Sequence, residues 1–209
     1  MDNTVALVQA YLHVNGYFTV AEYPIVSVNR RGEPRGITDI DLMAWRFPRA
    51  SGRAGLPGGR RAIGEAARAT DPALRSPADM PDMLIAEVKR GRARFNRAMR
   101  DPPVLATALA RFGCCNAADS EATARKLLRE GSADTHCGHV VRLVAFGAAA
   151  ADEHLPRGHV VPLENVVRYL RRWLRDCWPE LHGVKFSNPA VELLALLQRL
   201  DPGAKDGAP

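Results

Sequence analysis

Two segments of the 209-residue chain combine the apolar character of strands with charged residues in their middle. The first, Ile37–Phe47, contains Asp39 and Asp41; the second, Met83–Lys89, ends with Glu87 and Lys89 on alternate positions. Because side chains alternate between faces, each charged pair is expected on one face of its strand, with the aspartates roughly 7 Å apart. Unpaired charges are costly to bury, so we expect the two strands to be neighbours whose charges compensate one another.

The pattern along the rest of the chain predicts alternating helices and strands. A helix beginning at residues 2–4 and a strand from Tyr17 to about Val28 come first. Further helices are expected over 102–112, from a cap at Ser120 to Gly131, over 164–178 and from Pro189 onward, with strands over 139–146 and 159–163. This order predicts a three-layer α/β fold with a mixed central sheet flanked by helices.

Length and composition indicate one globular domain. The chain is 46% hydrophobic and 25% charged, which is average for such domains, so we expect a single domain over residues 1–200 and a disordered tail over 201–209. The Gly- and Pro-rich segment 48–82 predicts a long loop insertion, with one weak helix near Arg61–Arg68. With no membrane-length apolar run and no secretory signal pattern, we expect a cytoplasmic protein without a membrane partner.

The cysteines and the charge constrain the chemistry less. The four cysteines form no CxxC pair and are expected to be reduced thiols, and the spacing of Cys115, His136, Cys137 and His139 matches no standard zinc pattern. A net charge of +6 is compatible with a polyanionic partner. Since only 4 of the 29 basic residues are lysines, the choice of lysine at position 89 is informative.

The set Asp41…Glu87-Val88-Lys89 resembles the D…(D/E)xK signature of the PD-(D/E)xK, or restriction-endonuclease-like, nuclease superfamily. The N-terminal helix, Gly16–Phe18 entering a strand, and the "IDLMA" and "LIAEVK" segments extend the resemblance over about residues 4 to 110. Within the superfamily, these segments are most similar in sequence to Holliday-junction-resolvase-like small nucleases. The resemblance implies a restriction-endonuclease-like core and a Mg²⁺- or Mn²⁺-dependent enzyme that hydrolyses DNA phosphodiester bonds.

The resemblance also implies roles for individual residues. Asp41 and Glu87 would hold the metal, helped by the backbone carbonyl of Val88, and Asp39 is a further candidate ligand. Lys89 would orient or activate the attacking water and stabilise charge on the phosphate. An arginine would serve less well there, because its proton is effectively never released.

The chain departs from the resolvase-like pattern in two respects. Those nucleases carry a glutamate on the first helix, where this chain has Gln9. Glu22, on the first strand, is the nearest substitute for a catalytic role: alternation is compatible with a buried-side acid there, and a strand-end glutamate in water is the alternative. The second departure is the length of the 48–82 insertion, which could read the substrate or could be a solvated loop.

Two sets of arginines are candidates for contacting nucleic acid. One follows the catalytic strand directly, and the other falls at i, i+3, i+4 and i+7 of a helix, a stripe that suits a phosphate backbone. A solvated face is the alternative for the second set. The two sets are Arg90, Arg92, Arg94, Arg97 and Arg100, and Arg168, Arg171, Arg172 and Arg175.

Other functions are compatible with the same residues. A catalytically inactive nuclease fold that binds nucleic acid or protein gains support from Gln9. A nucleotide-sugar transferase using Asp39 and Asp41 would leave Glu87 and Lys89 unexplained. The sequence also leaves a homodimer open, because the apolar last helix could serve as core or as an interface.

Overall fold

The computed structural model describes residues 2–28, 31–48, 70–148 and 158–200. Within these ranges the strands are β1 (Phe18–Val28), β2 (Pro34–Arg46), β3 (Asp82–Val88), β4 (Ser132–Asp134), β5 (Val140–Gly147) and β6 (His159–Pro162). The α-helices are α1 (Asn3–Val14), α2 (Pro102–Arg111), α3 (Ala117–Glu130), α4 (Leu163–Asp176), α5 (Trp178–Leu181) and α6 (Pro189–Leu200). Short 3₁₀ turns cover Pro72–Leu74 and Ala98–Arg100.

All six strands belong to one open sheet in the order β1-β2-β3-β5-β4, with β6 beside β5. β2 pairs antiparallel with both β1 and β3, whereas β3 pairs in parallel with β5, which pairs in parallel with β6. The expected α/β fold with a mixed sheet is therefore confirmed, and so is the pairing of the two charged strands. No helix in the described ranges is long and apolar enough to cross a membrane.

The sheet has a hydrophobic core on each face. On one face, Leu84, Ala86 and Val88 of β3 pack with apolar residues of α1, α4 and α6. On the other face, Met83 and Ile85 pack with residues of α2 and α3. The helices thus cover both faces of the sheet, in agreement with three layers.

Several elements differ from the sequence expectations: β2 begins at Pro34 and α4 ends at Asp176. Asn116, rather than Ser120, caps α3, because its side chain accepts the Asp119 N–H at 2.8 Å. Gly131 ends that helix in the left-handed conformation, as expected. The short strand β4 was not expected, and β3 begins at Asp82, inside the segment expected to be a loop.

The described part of the 48–82 segment, residues 70–82, is anchored to the core. Leu74 is fully buried, and the Tyr11 hydroxyl donates to Asp71 at 2.8 Å. The Arg142 guanidinium donates to the Leu74 carbonyl at 2.8 Å. Residues 49–69, with the weak helix expected near Arg61–Arg68, and the tail 201–209 lie outside the described residues. One domain over 1–200 stays a prediction.

Candidate functional site

Asp41, Glu87 and Lys89 meet where β2 and β3 separate. The pairing of the two strands runs from Arg46 opposite Asp82 to Leu42 opposite Ala86. Beyond Leu42, the Asp41 carboxylate accepts the Val88 N–H at 2.8 Å. The Lys89 ammonium lies 3.4 Å from the same Asp41 oxygen and also donates to Glu87. One ammonium thus bridges two carboxylates.

The charges at this point of the sheet are strongly coupled. Glu87 has no exposed side-chain surface, and Lys89 retains 30% exposure. Burial, together with the negative charge of Asp41, raises the pKa of Glu87 even though Lys89 opposes the shift. Burial alone would lower the pKa of Lys89, but its hydrogen bond to Glu87 and the two carboxylate charges raise it. The cluster holds one more carboxylate than ammonium, which is the condition that a cation would relieve.

Asn96 is a member of the site that the sequence analysis missed. Its amide nitrogen donates to both oxygens of Glu87, at 3.1 and 3.3 Å, and lies 3.3 Å from the Thr38 hydroxyl. Its amide oxygen accepts the Met99 N–H at 2.8 Å, so the orientation of the amide is determined on both sides. Asn96 therefore positions Glu87 from outside the sheet.

Close packing brings Asn96 into place. The chain after β3 turns back across the sheet, with Ala93 and Phe95 buried. A Cβ added to Gly147 would lie 2.3 Å from the Ala93 nitrogen, far inside van der Waals contact. Only a glycine at this end of β5 permits that approach. A lone glycine is too common to be a signal, so sequence reasoning could not find Asn96.

Asp39 does not share the face of Asp41, so that expectation is wrong. Ile40 belongs to the same core cluster as Met43 and Ile85, whereas Leu42 packs on the opposite face of the sheet. The alternation of β2 therefore shifts by one residue between Ile40 and Asp41. Asp39 is exposed and lies opposite Pro24.

Glu22 marks the same irregularity on the neighbouring strand. Ala21 pairs with Leu42 and Tyr23 with Ile40, which places Glu22 beside Asp41 in register. Glu22 adopts a left-handed φ of 52° and is exposed, which agrees with the solvated alternative. Such conformations are unfavourable for residues other than glycine and persist only where the surroundings impose them.

The first helix contributes no acid to the site within the described residues. Gln9 donates instead to the Thr19 hydroxyl of β1 at 3.1 Å. No group of three or more His, Cys, Asp or Glu side chains in the described ranges could hold a metal. The candidate donor set therefore consists of the Asp41 and Glu87 carboxylates, with Val88 supplying only backbone atoms.

The two arginine sets are exposed, as binding to an extended anion requires. Arg90 pairs with Asp2 at 2.7 Å, and Arg168 pairs with Glu164 at 3.4 Å. On α4, Val166, Leu170 and Leu174 are buried beneath the arginine stripe, which confirms the predicted amphipathic pattern. The other exposed members are Arg92, Arg94, Arg97, Arg100, Arg171, Arg172 and Arg175.

Comparison of the chain with protein-family models, with curated proteins and with solved structures finds no match in any of the three. A functional assignment therefore depends on the geometry of the site. The carboxylate oxygens of Asp41 and Glu87 are donors of the kind that Mg²⁺ takes in proteins, usually together with several of its own waters.

Proposed function

We propose that this protein is a metal-dependent nuclease of the PD-(D/E)xK type, with a restriction-endonuclease-like core, that hydrolyses DNA phosphodiester bonds. The observation that supports the proposal is the convergence of Asp41, Glu87 and Lys89 at the fork between β2 and β3. Forty-five residues separate the first two of these in the chain, so their meeting is a property of the fold.

The residues divide the chemistry among them. Asp41, Glu87 and the Val88 carbonyl would hold Mg²⁺ or Mn²⁺, which polarises a phosphoryl oxygen and lowers the pKa of water. Lys89 hydrogen-bonds the attacking water or a phosphate oxygen through an ammonium that reaches both carboxylates. Asn96 keeps the Glu87 carboxylate in one orientation through its two-sided hydrogen bonding. Asp39, being exposed and on the other side of β2, is the weakest of the predicted ligands.

DNA is the partner that the surface charge favours. Five exposed arginines occur between residues 90 and 100, directly after Lys89, and neutralise phosphates flanking the bond to be cut. The proposal includes no base recognition, because the described residues form no base-reading module. The affinity of the protein for DNA is therefore expected to decrease steeply as the salt concentration rises.

A binding module without catalysis is the second candidate. It is favoured by the absence of a third acidic ligand in the described residues and by the position of Gln9, whose amide bonds to Thr19. In that case Lys89 is a permanent counter-ion that neutralises two carboxylates. The arginines then hold nucleic acid without cutting it.

Cleavage of supercoiled plasmid and of a four-way junction distinguishes the candidates. Wild type is compared in Mg²⁺, Mn²⁺, Ca²⁺ and chelator with Lys89→Ala and with Lys126→Ala, a half-exposed lysine of α3. We expect Lys89→Ala to lose about 10²- to 10⁴-fold in rate, the range for a group that transfers or orients a proton. Lys126→Ala is expected to cleave at the wild-type rate.

The same experiment contains its contradiction. A folded wild type that binds DNA and cleaves neither substrate in any metal rules out the nuclease and leaves the binding module. A thermal shift with Mg²⁺ gives a readout independent of cleavage. Because a metal that binds only the folded state stabilises it, Mg²⁺ should raise the midpoint temperature of unfolding of wild type but not that of Asp41→Asn.

We also propose that α6 joins two copies of the chain. Four of its leucines, at i, i+3, i+4 and i+7, are 46–68% exposed: Leu193, Leu196, Leu197 and Leu200. This stripe is self-complementary across a two-fold axis, and the following residues 201–209 contain no large apolar side chain that could cover it. Light scattering should give a dimer for wild type and a monomer for Leu197→Glu; a monomeric wild type contradicts the proposal.

A further inference from the structure

An open groove of about 770 Å³ lies between α1 and α4. It is referred to below as the α1–α4 groove. Leu7, Leu163 and Val167 give it an apolar lining. Arg90, the residue that follows Lys89 in the chain, also lines it.

Three arginines of α4 line the groove at successive turns of the helix: Arg168, Arg171 and Arg175. Residues 168 to 175 cover seven helical steps, which is about 10 Å, so the three arginines lie along a line and do not converge on one point. Donors spread along a line match a chain of anions, whereas a single phosphate would require converging donors. Arg168 is paired with Glu164, which also lines the groove, whereas Arg171 and Arg175 have no ion-pair partner among the described residues.

The lining distinguishes between forms of nucleic acid. A duplex presents phosphates and sugars on its outside, and its bases are stacked within. A single strand also presents unstacked bases, which pack on apolar surface while cationic residues follow the backbone. The combination of Leu7, Leu163 and Val167 with a line of arginines therefore fits a single strand.

We propose that the α1–α4 groove binds a single-stranded stretch of nucleic acid that continues from the strand held at Lys89. This inference rests on the proposed nuclease function, because it makes the bound strand the substrate. Arg90 carries the backbone from the site into the groove, where Arg168, Arg171 and Arg175 take successive phosphates. The enzyme accordingly acts on DNA with a single-stranded flank.

Two neighbouring arginines provide a matched test. The sequence pattern places Arg171 and Arg172 in one stripe, but only Arg171 lines the groove, so Arg172 is not part of this binding surface although it is exposed on α4 and carries the same charge. Arg171→Gln and Arg172→Gln are compared with wild type by fluorescence anisotropy, with a labelled single strand and a matched duplex, over a salt series in chelator. We expect Arg171→Gln to reduce the salt slope for the single strand by about 0.7, the value for one lost phosphate contact. Arg172→Gln should leave that slope unchanged.

Each outcome decides the inference. If Arg171→Gln and Arg172→Gln reduce the salt slope equally, only the net charge of α4 affects binding, and the inference is wrong. A loss in Arg171→Gln that is as large on the duplex overturns the single-strand assignment. If Arg171→Gln weakens the binding of polyglutamate but not that of the single strand, the groove binds an acidic peptide instead.

The inference and the proposed function fail separately. If only Arg171→Gln changes the salt slope, and the protein cleaves neither plasmid nor junction, the groove binds a single strand but the protein is not a nuclease. Metal-dependent cleavage that is lost in Lys89→Ala, with Arg171→Gln and Arg172→Gln equally active and equally tight in binding, leaves the nuclease and removes the groove.

Discussion

Strand β3 carries a fully buried carboxylate near each end, and the two are treated differently by the fold. Asp82, at the start, accepts the Arg142 guanidinium through both oxygens, at 2.8 and 2.6 Å, and the Tyr17 hydroxyl at 2.5 Å. Glu87, near the other end, shares one ammonium with Asp41. The first cluster pairs one carboxylate with one guanidinium, whereas the second sets two carboxylates against one ammonium.

The comparison shows how a structural pair can be told from a candidate site in one sheet. The Asp82 pair is closed, because Arg142 is nearly buried and its remaining nitrogen donates to the Leu74 carbonyl. The Glu87 cluster remains partly open to solvent through Lys89 and Asp41. A closed pair can do no more than hold the segments it joins. An open cluster with two carboxylates and one ammonium can take a cation and a substrate.

The largest expected effect is a difference between amide substitutions at the two ends of β3. Asp82→Asn leaves the Arg142 guanidinium buried without a counter-charge and should lower the free energy of unfolding by about 3–5 kcal/mol. Glu87→Gln replaces a buried carboxylate whose pKa is already raised, and Lys89 keeps Asp41 as its partner. We expect its free energy of unfolding to stay within about 1 kcal/mol of wild type.

Urea denaturation of the three proteins at neutral pH, in chelator, measures this difference. Plasmid cleavage should be abolished by Glu87→Gln despite its stability, because the substitution removes a metal-binding oxygen. Similar losses of stability at the two positions would mean that the Glu87 cluster is also a structural pair, and the contrast would be lost.

Sequence reasoning reached one of these clusters and not the other, for a physical reason. Asp41, Glu87 and Lys89 could be placed together because they lie within strand patterns whose charges needed compensation. Asp82 lies at the edge of a Gly- and Pro-rich segment, and its partner Arg142 is 60 residues away in a strand that appeared wholly buried. An ion pair between distant segments leaves no local pattern.

Regular alternation was the assumption that failed within the site. It predicted the faces of Glu87 and Lys89 but placed Asp39 beside Asp41. The shift at Ile40–Asp41 and the left-handed φ of Glu22 lie opposite one another across β1 and β2. The residue types do not predict a left-handed conformation at a glutamate, so only the structure shows this irregularity.

Asn96 offers a sharper test of the open cluster, with an intermediate effect. Asn96→Ala removes the donor that spans both oxygens of Glu87 and leaves Lys89 and Asp41 in place. Residues that orient a metal ligand typically contribute 10- to 100-fold in metal affinity or activity, so we expect a loss of about that size. The loss should appear as a higher Mg²⁺ requirement in cleavage and in the thermal shift.

Rescue by a conservative variant separates positioning from folding. Asn96→Gln keeps an amide donor for Glu87 and an oxygen for the Met99 N–H, so it should recover part of the Mg²⁺ affinity that Asn96→Ala loses. Asn96→Ala with an unchanged Mg²⁺ requirement would show that Asn96 only supports the turn at residues 97–100.

The smallest expected effect concerns the pH dependence at the closed end of the sheet. His139 precedes β5, where Val140 lies opposite Asp82, and its ring packs edge-on against Trp45 at 4.7 Å. Burial, and secondarily the charge of His136, lowers the pKa of His139 below its ordinary 6.5. The folded protein therefore binds fewer protons than the unfolded chain at acid pH. The contribution of His139 to the free energy of unfolding is fully present above about pH 6.5 and is lost as the pH falls below that value.

His139→Gln should flatten this acid loss in part, because burial also lowers the pKa of His13 and of His159. The measurement is the midpoint of urea denaturation between neutral and mildly acid pH, in chelator, with His182→Gln as the control at an exposed histidine. If His139→Gln and wild type lose stability equally on acidification, the protonated ring is tolerated where it lies. The start of β5 would then be accessible to water, and the distinction between a closed end and an open end of the sheet would rest on the Asp82–Arg142 pair alone.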